Sequence, residues 1–214
     1  CNFALPDGIK IAPERIADAL NVKLPPDVRV LESAAAPEGF DACRSAKRKT
    51  YRYSVYFSRR ENPLLERYAV RYGESPDFAR MGECARLLEG EHDFAAFSSA
   101  GSSVKTTVRT VYSVETAPWA DEYAEGVLGV RIEVCGGGFL YNMVRIMAGA
   151  ILECGAGKLP LSAVEEALCT GDRELLGKTM PAKGLTLLSV DYGFPLFNGE
   201  YSGGAARTAP ANKE

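Results

Sequence analysis

The chain has 214 residues, 46% hydrophobic and 25% charged, with a formal net charge of −3. That length supports one or two compact domains of ordinary globular composition, and no run of 18 apolar residues offers a membrane-spanning helix. Six cysteines without a CxxC pair, and His92 as the single histidine, give no zinc-binding pattern; the cysteines fit buried free thiols in a reducing cytoplasm.

The start, "CNFALPDGIK", has neither the basic region nor the apolar stretch of a signal peptide and no initiator Met, so the chain reads as a fragment or a processed piece. "IAPERIADALNVKLP" predicts a helix with Pro13 in its first turn and Ile16, Ala19 and Leu20 on one face, ended by Pro25-Pro26. "DVRVLESA" (27–34) predicts a strand, and 39–49 a polar, basic connector. "TYRYSVYF" (50–57) alternates, with Tyr51, Tyr53, Val55 and Phe57 on one face and Arg52, Ser54 and Tyr56 on the other. "SPDFARMGECARLLEG" (75–90) predicts a helix capped by Ser75 with Pro76 at its first position.

Residues 105–116 and 126–138 predict strands. The first carries Val108, Thr110, Tyr112 and Val114 on one side; the second points Val130, Ile132 and Val134 inward. A helix follows over about 139–154, then one over 161–171 with Ser162 at its cap and Gly171 past its end, and a last strand over 184–194. From Asn198 the sequence has little to bury and reads as disordered. Strands and helices mix without a strict βαβ repeat. The expected class is therefore α+β, a mostly antiparallel sheet with helices packed on one face. The expected organisation is 1–38 as the remainder of an N-terminal domain, 39–196 as a C-terminal α+β domain, and 197–214 as a disordered tail.

Charge is uneven. Between Arg44 and Tyr72 nine bases face only Glu61 and Glu66, so that segment is at +7 and the remainder at −10. This marks either a polyanion-facing surface or a solvated face with cross-strand ion pairs. Arg145 is the second anomaly. In "FLYNMVRIMAG" Leu140, Val144, Met147 and Ile151 form an apolar row widened by Phe139, Met143 and Leu152, and Arg145 lies on the neighbouring row. The only acid of that helix, Glu153, is two turns away. A guanidinium there either extends its head to solvent or needs a carboxylate, phosphate or carbonyl partner. Tyr51 is either packed core or, beside clustered Lys and Arg, an aromatic that stacks on a base next to a phosphate. His92 reads as a structural loop residue, with Asp93 capping the turn there. Walker, GxGxxG, GxSxG and HExxH patterns are all absent.

"FDACRSAKRKTYRYSVY", "LLEGEHDFAAF", "SSVKTTVRTV", "GGGFLYNMVRIMAGAILECGAGKL" and "TMPAKGLTLLSVDY" occur in that order. Over about residues 1–194 they closely resemble the TruA-type tRNA pseudouridine synthases of bacteria. The resemblance implies a cytoplasmic, homodimeric isomerase that converts uridine to pseudouridine in the tRNA anticodon stem-loop. It implies no metal and no organic cofactor, and a target base flipped out of its stem. A catalytic aspartate breaks the glycosidic bond, and the uracil turns and rejoins through its carbon 5. By motif, Tyr51 in "K-x-Y-x-Y" stacks on the target uracil, and Arg145 in "NMVR" pairs with the catalytic aspartate. Leu185 in "KGL" approaches the uracil from the other side. Arg44, Lys47, Arg48, Lys49 and Arg52 contact phosphates.

Two departures stand out. Cys43 occupies the place where the family usually has Arg, and the "GRTD" motif with the nucleophilic aspartate is absent from residues 1–214. The expectation is an inactive piece of a longer synthase lacking its nucleophile. The alternative is a non-catalytic RNA-binding module using the same basic surface.

Overall fold

The computed structural model describes residues 1–6, 8–99, 101, 104–120 and 128–197. The expected disorder beyond Asn198 lies outside the described residues. Two compact units form: Cys1–Ala46 with the described residues from Tyr192 on, and Lys47–Asp191.

In the first unit a 3-10 turn at Pro13–Arg15 leads into α1 (Ile16–Asn21). Its buried residue is Ala17, whereas Leu20 is exposed, so the apolar face differs from the expected one. Residues 27–34 form no strand. Local bonds serve part of this segment instead: the Val28 N–H donates to the Pro25 carbonyl, and Asn21 brackets Val30 by accepting from its N–H and donating to its carbonyl, at 2.9 and 2.8 Å. With those groups held locally, no ladder partner is needed. Phe40 packs edge-on against Tyr192, whose hydroxyl donates to the Ala42 carbonyl.

The second unit is one sheet of six strands among the described residues, and it has the expected α+β architecture. The strands are β1 (Arg48–Phe57), β2 (Val70–Tyr72), β3 (Gly90–Asp93), β4 (Val108–Ala120), β5 (Leu128–Gly136) and β6 (Leu185–Asp191). Their order is β2-β1-β5-β4-β3, with β6 also paired to β1. Every pairing is antiparallel except β1–β2. β1 is long enough to serve two partners on one edge, β6 along Arg48–Tyr53 and β2 along Val55–Phe57.

The helices α2 (Phe78–Leu87), α3 (Met143–Gly155) and α4 (Leu161–Thr170) share one core with Tyr53, Val55, Val130, Ile132 and Val134. Each of those sheet side chains is fully buried, and such burial contributes about 1.5–3 kcal/mol for a side chain of Val or Ile size. The opposite face carries a smaller cluster of Tyr56, Leu65, Ala69 and Trp119.

Several local expectations are corrected. α2 is capped by Asp77, which accepts from the N–H groups of Ala79 and Arg80, not by Ser75. Ser162 lies inside α4, whose cap residue is Pro160. Strict alternation in β4 fails because a bulge lies between Val111 and Ser113; Val111 and Val114 are buried and Tyr112 is exposed. His92 lies in β3, not a loop, with its ring nitrogen 2.8 Å from the Glu89 carbonyl. Asp93 accepts from the Ala95 N–H, as a turn cap should. Of the six cysteines, Cys84 and Cys154 are buried, while Cys1, Cys43 and Cys169 are exposed.

Candidate active site

β1 gathers the expected residues. Alternation sends Tyr51 and Tyr53 toward the helices, and β6 pairs Leu187 with Tyr51 and Leu185 with Tyr53. Directly opposed residues share a face, so Tyr51, Leu185 and Leu187 form one surface. Tyr53 seals that surface from below: it is fully buried, and Tyr51 and Leu185 are half-buried above it. Phe139 meets Tyr51 edge-on, with ring centroids 5.3 Å apart and planes at 90°. That contact fixes the tilt of the tyrosine ring.

Arg145 comes from the first turns of α3. It is half-buried, in a helix where Val144, Ile146, Met147 and Ala148 are all buried. Its Nε–H donates to the Met180 carbonyl at 2.6 Å and its Nη1–H to the Asn142 Oδ1 at 2.7 Å. Both acceptors are neutral, so the partner is a carbonyl and an amide, with no carboxylate from the described residues. Two of the five N–H groups of the guanidinium are used in this way.

The segment Lys178–Gly184 straps across this end of α3 and delivers Leu185 to the sheet. The Met180 N–H returns a bond to the Arg145 carbonyl, and the Tyr53 hydroxyl donates to the Pro181 carbonyl at 2.6 Å. Burial pushes the Tyr53 phenol well above its ordinary pKa, and the nearby Arg145 charge offsets this only partly. Tyr53 is therefore a neutral hydrogen-bond donor to the strap.

Two glycines permit the close approach. A Cβ on Gly184 would lie 2.8 Å from the Tyr53 ring and 3.0 Å from the Ser54 carbonyl. A Cβ on Gly149 would lie 2.7 Å from the Lys178 carbonyl. The glycine of "KGL" is thus what lets the strand carrying Leu185 press against β1. Lys183 of the same motif forms an ion pair with Glu66.

The expected phosphate-contacting residues are split by the pleat. Lys49 shares the face of Tyr51, whereas Arg48 and Arg52 point to the other face of β1. Arg52 is bound to Glu133 across the β1–β5 pair, Nε to Oε1 at 2.8 Å and Nη2 to Oε1 at 2.6 Å. Arg48 lies over the Tyr112 ring, 4.8 Å from its centroid. Lys47 is exposed in the same unit, and Arg44 is exposed in the first unit. Sequence reasoning missed Asn142, Tyr53 and Met180. Asn142, immediately before an apolar helix, carried the only readable signal, since Asn is among the residues that tolerate left-handed backbone.

No cluster of three or more potential metal ligands occurs among the described residues, and no described helix is long and apolar enough to cross a membrane. A family model described as tRNA pseudouridine synthase matches residues 84–193. The chain is 41% identical over 195 residues to "tRNA pseudouridine synthase A" of Shouchella clausii (strain KSM-K16), covering 91% of the chain and 72% of that relative. It is 40% identical over 191 residues to the protein of that name from Syntrophotalea carbinolica (strain DSM 2380 / NBRC 103641 / GraBd1), covering 89% of the chain and 72% of the relative. It is 39% identical over 184 residues to that of Bacillus subtilis (strain 168), covering 86% and 72%.

Proposed function

The chain belongs to the tRNA pseudouridine synthase family, and we propose that it serves the isomerisation of uridine to pseudouridine in the anticodon stem-loop of tRNA. In that reaction the bond between uracil N1 and the ribose C1′ breaks and a bond from uracil C5 to C1′ forms. C5 loses a proton, N1 gains one, and nothing else is exchanged.

The observation that supports this reading is that Tyr51, held edge-on by Phe139, shares a sheet face with Leu185, and that Arg145, on neutral partners, holds the strap leading into Leu185 through Met180. A flipped uracil stacks on the Tyr51 ring, and Leu185 and Leu187 supply the apolar side that excludes water. The remaining N–H groups of Arg145 receive the carboxylate of the nucleophilic aspartate, a charge-assisted pair that both orients the acid and keeps it ionised. We assign that aspartate to no residue of 1–214, because the Gly-Arg-Thr-Asp motif does not occur there. Lys47 and Lys49 meet phosphates beside the flipped nucleotide, and Arg44 and Arg48 are further candidate phosphate contacts. Arg52, bound to Glu133, contributes least. The homodimer and the cytoplasmic setting implied by the family resemblance complete the reading.

The test is pseudouridine formation on a tRNA transcript by the enzyme expressed from the complete gene, beside the 214-residue chain alone. The expected outcome is turnover by the first and none by the second. A complete-gene product that binds tRNA in a salt-dependent way without modifying it would replace this reading with that of an RNA-binding module.

A further inference from the structure

Asn142 is the only non-glycine residue with positive φ among the described residues, at φ 62 and ψ 6. It precedes α3 at the N-cap position, yet its side chain makes no capping hydrogen bond. A residue that adopts the left-handed region without capping its helix needs another reason to carry a side chain there. The side chain bridges two elements instead. Its Oδ1 accepts from Arg145 Nη1 at 2.7 Å, and its Nδ2 donates to Ser99 Oγ at 3.0 Å. The Ser99 N–H in turn donates to the Tyr141 carbonyl at 3.1 Å. Ser99 lies just past Phe94, Ala96 and Phe97, all fully buried, so its position is set by the core.

The amide cannot be reversed in this arrangement. A guanidinium only donates, so Oδ1 must face Arg145, and the amide nitrogen must then face Ser99. Asn142 and the Met180 carbonyl hold the guanidinium at two of its nitrogens, Nη1 and Nε. They fix its plane, and Nη2 has no hydrogen-bond partner among the described residues.

We propose that Asn142 is a positioning residue of the isomerase. It aims Arg145 at the nucleophile's carboxylate, and Ser99 orients its amide. This rests on the tRNA isomerase reading above. It also gives a role to Ser99, the second residue past "LLEGEHDFAAF". Because both side-chain bonds of Asn142 go to Arg145 and Ser99, its loss should slow the chemical step and leave tRNA binding alone.

The experiment measures single-turnover pseudouridine formation and tRNA Kd for the enzyme expressed from the complete gene and for three variants. Asn142→Gly keeps the left-handed backbone available and removes only the amide. Its single-turnover rate should fall on the order of 100-fold, the size of effect that misplacing a catalytic group by about an ångström produces, with tRNA Kd within about twofold. Asn142→Asp keeps the shape but places a carboxylate on Arg145, in competition with the nucleophile, and should fall further than Asn142→Gly. Ser99→Ala should fall by roughly tenfold, since the amide stays but loses its orientation. A residue needed only for backbone conformation would tolerate both Asn142 substitutions. Near-wild-type rates for folded Asn142→Gly or Asn142→Asp overturn the proposal and leave the isomerase reading intact. Absence of pseudouridine with the wild-type enzyme overturns both.

Discussion

Arg52 and Arg145 are both half-buried in the same unit, one on each side of the sheet, and they are satisfied in opposite ways. Arg52 faces away from the helices and holds Glu133, its direct cross-strand neighbour. Its charge is compensated within the sheet, and the pair behaves as structure. Arg145 stands at the edge of the main core and, among the described residues, binds only a main-chain carbonyl and an amide oxygen. Hydrogen bonds to a charged donor contribute about 1.5–3 kcal/mol each and support the guanidinium, but they do not neutralise it. The difference teaches that partner charge, more than burial, separates an arginine whose charge is answered within the fold from one whose charge is not; the proposed role of Arg145 rests on that difference.

Tyr51 sharpens the comparison most. It lies on the Arg145 side of the sheet, and Tyr51→Ala in the complete enzyme should lower turnover by about 100-fold or more while changing tRNA affinity by only a few-fold. Equal losses in single-turnover rate and in Kd would make it a binding residue only.

The strap comes next. Gly184→Ala drives a methyl group against the Tyr53 ring and the Ser54 carbonyl, a clash costing about 1–3 kcal/mol. The thermal midpoint should fall accordingly. An unchanged midpoint would mean that the strap yields easily and does not fix Leu185.

Lys49 and Arg52 then separate the two faces electrostatically. Lys49→Ala should weaken tRNA binding and reduce the slope of log K against log salt by roughly one. Arg52→Ala should leave that slope unchanged, because its guanidinium is already engaged by Glu133. Equal slopes for both variants would place Arg52 on the RNA. The smallest effect is on stability: the exposed flank of the Arg52–Glu133 pair limits the loss in Arg52→Ala to about 1 kcal/mol or less in denaturant unfolding.

Much of this arrangement is legible in the sequence because it follows from periodicity. The alternation of Tyr51, Tyr53, Val55 and Phe57 reports the inward face of β1, and the spacing of Leu140, Val144, Met147 and Ile151 reports the buried row at the head of α3. The lone arginine among those apolar residues marks the proposed site. Its partners are not legible. The Met180 oxygen belongs to the main chain, so no residue type announces it. Asn142 reveals its role only once the chain turns left-handed. β2 is three residues long and parallel, too short for any pattern. The β4 bulge shifts the face of every residue beyond it, so alternation misassigns Tyr112. At 27–34, where the sequence predicts a strand, Asn21 takes both backbone groups of Val30, a side-chain bond that alternation does not announce.

The central claim is that Arg145 serves the reaction, and one measurement tests it most directly: single-turnover pseudouridine formation by the complete-gene enzyme carrying Arg145→Ala. The rate should fall by about 100- to 1,000-fold, the range for removing a preorganised charged donor from an active site, with tRNA Kd unchanged and the protein folded. A folded Arg145→Ala enzyme that modifies tRNA at the wild-type rate would show that Arg145, like Arg52, is structural.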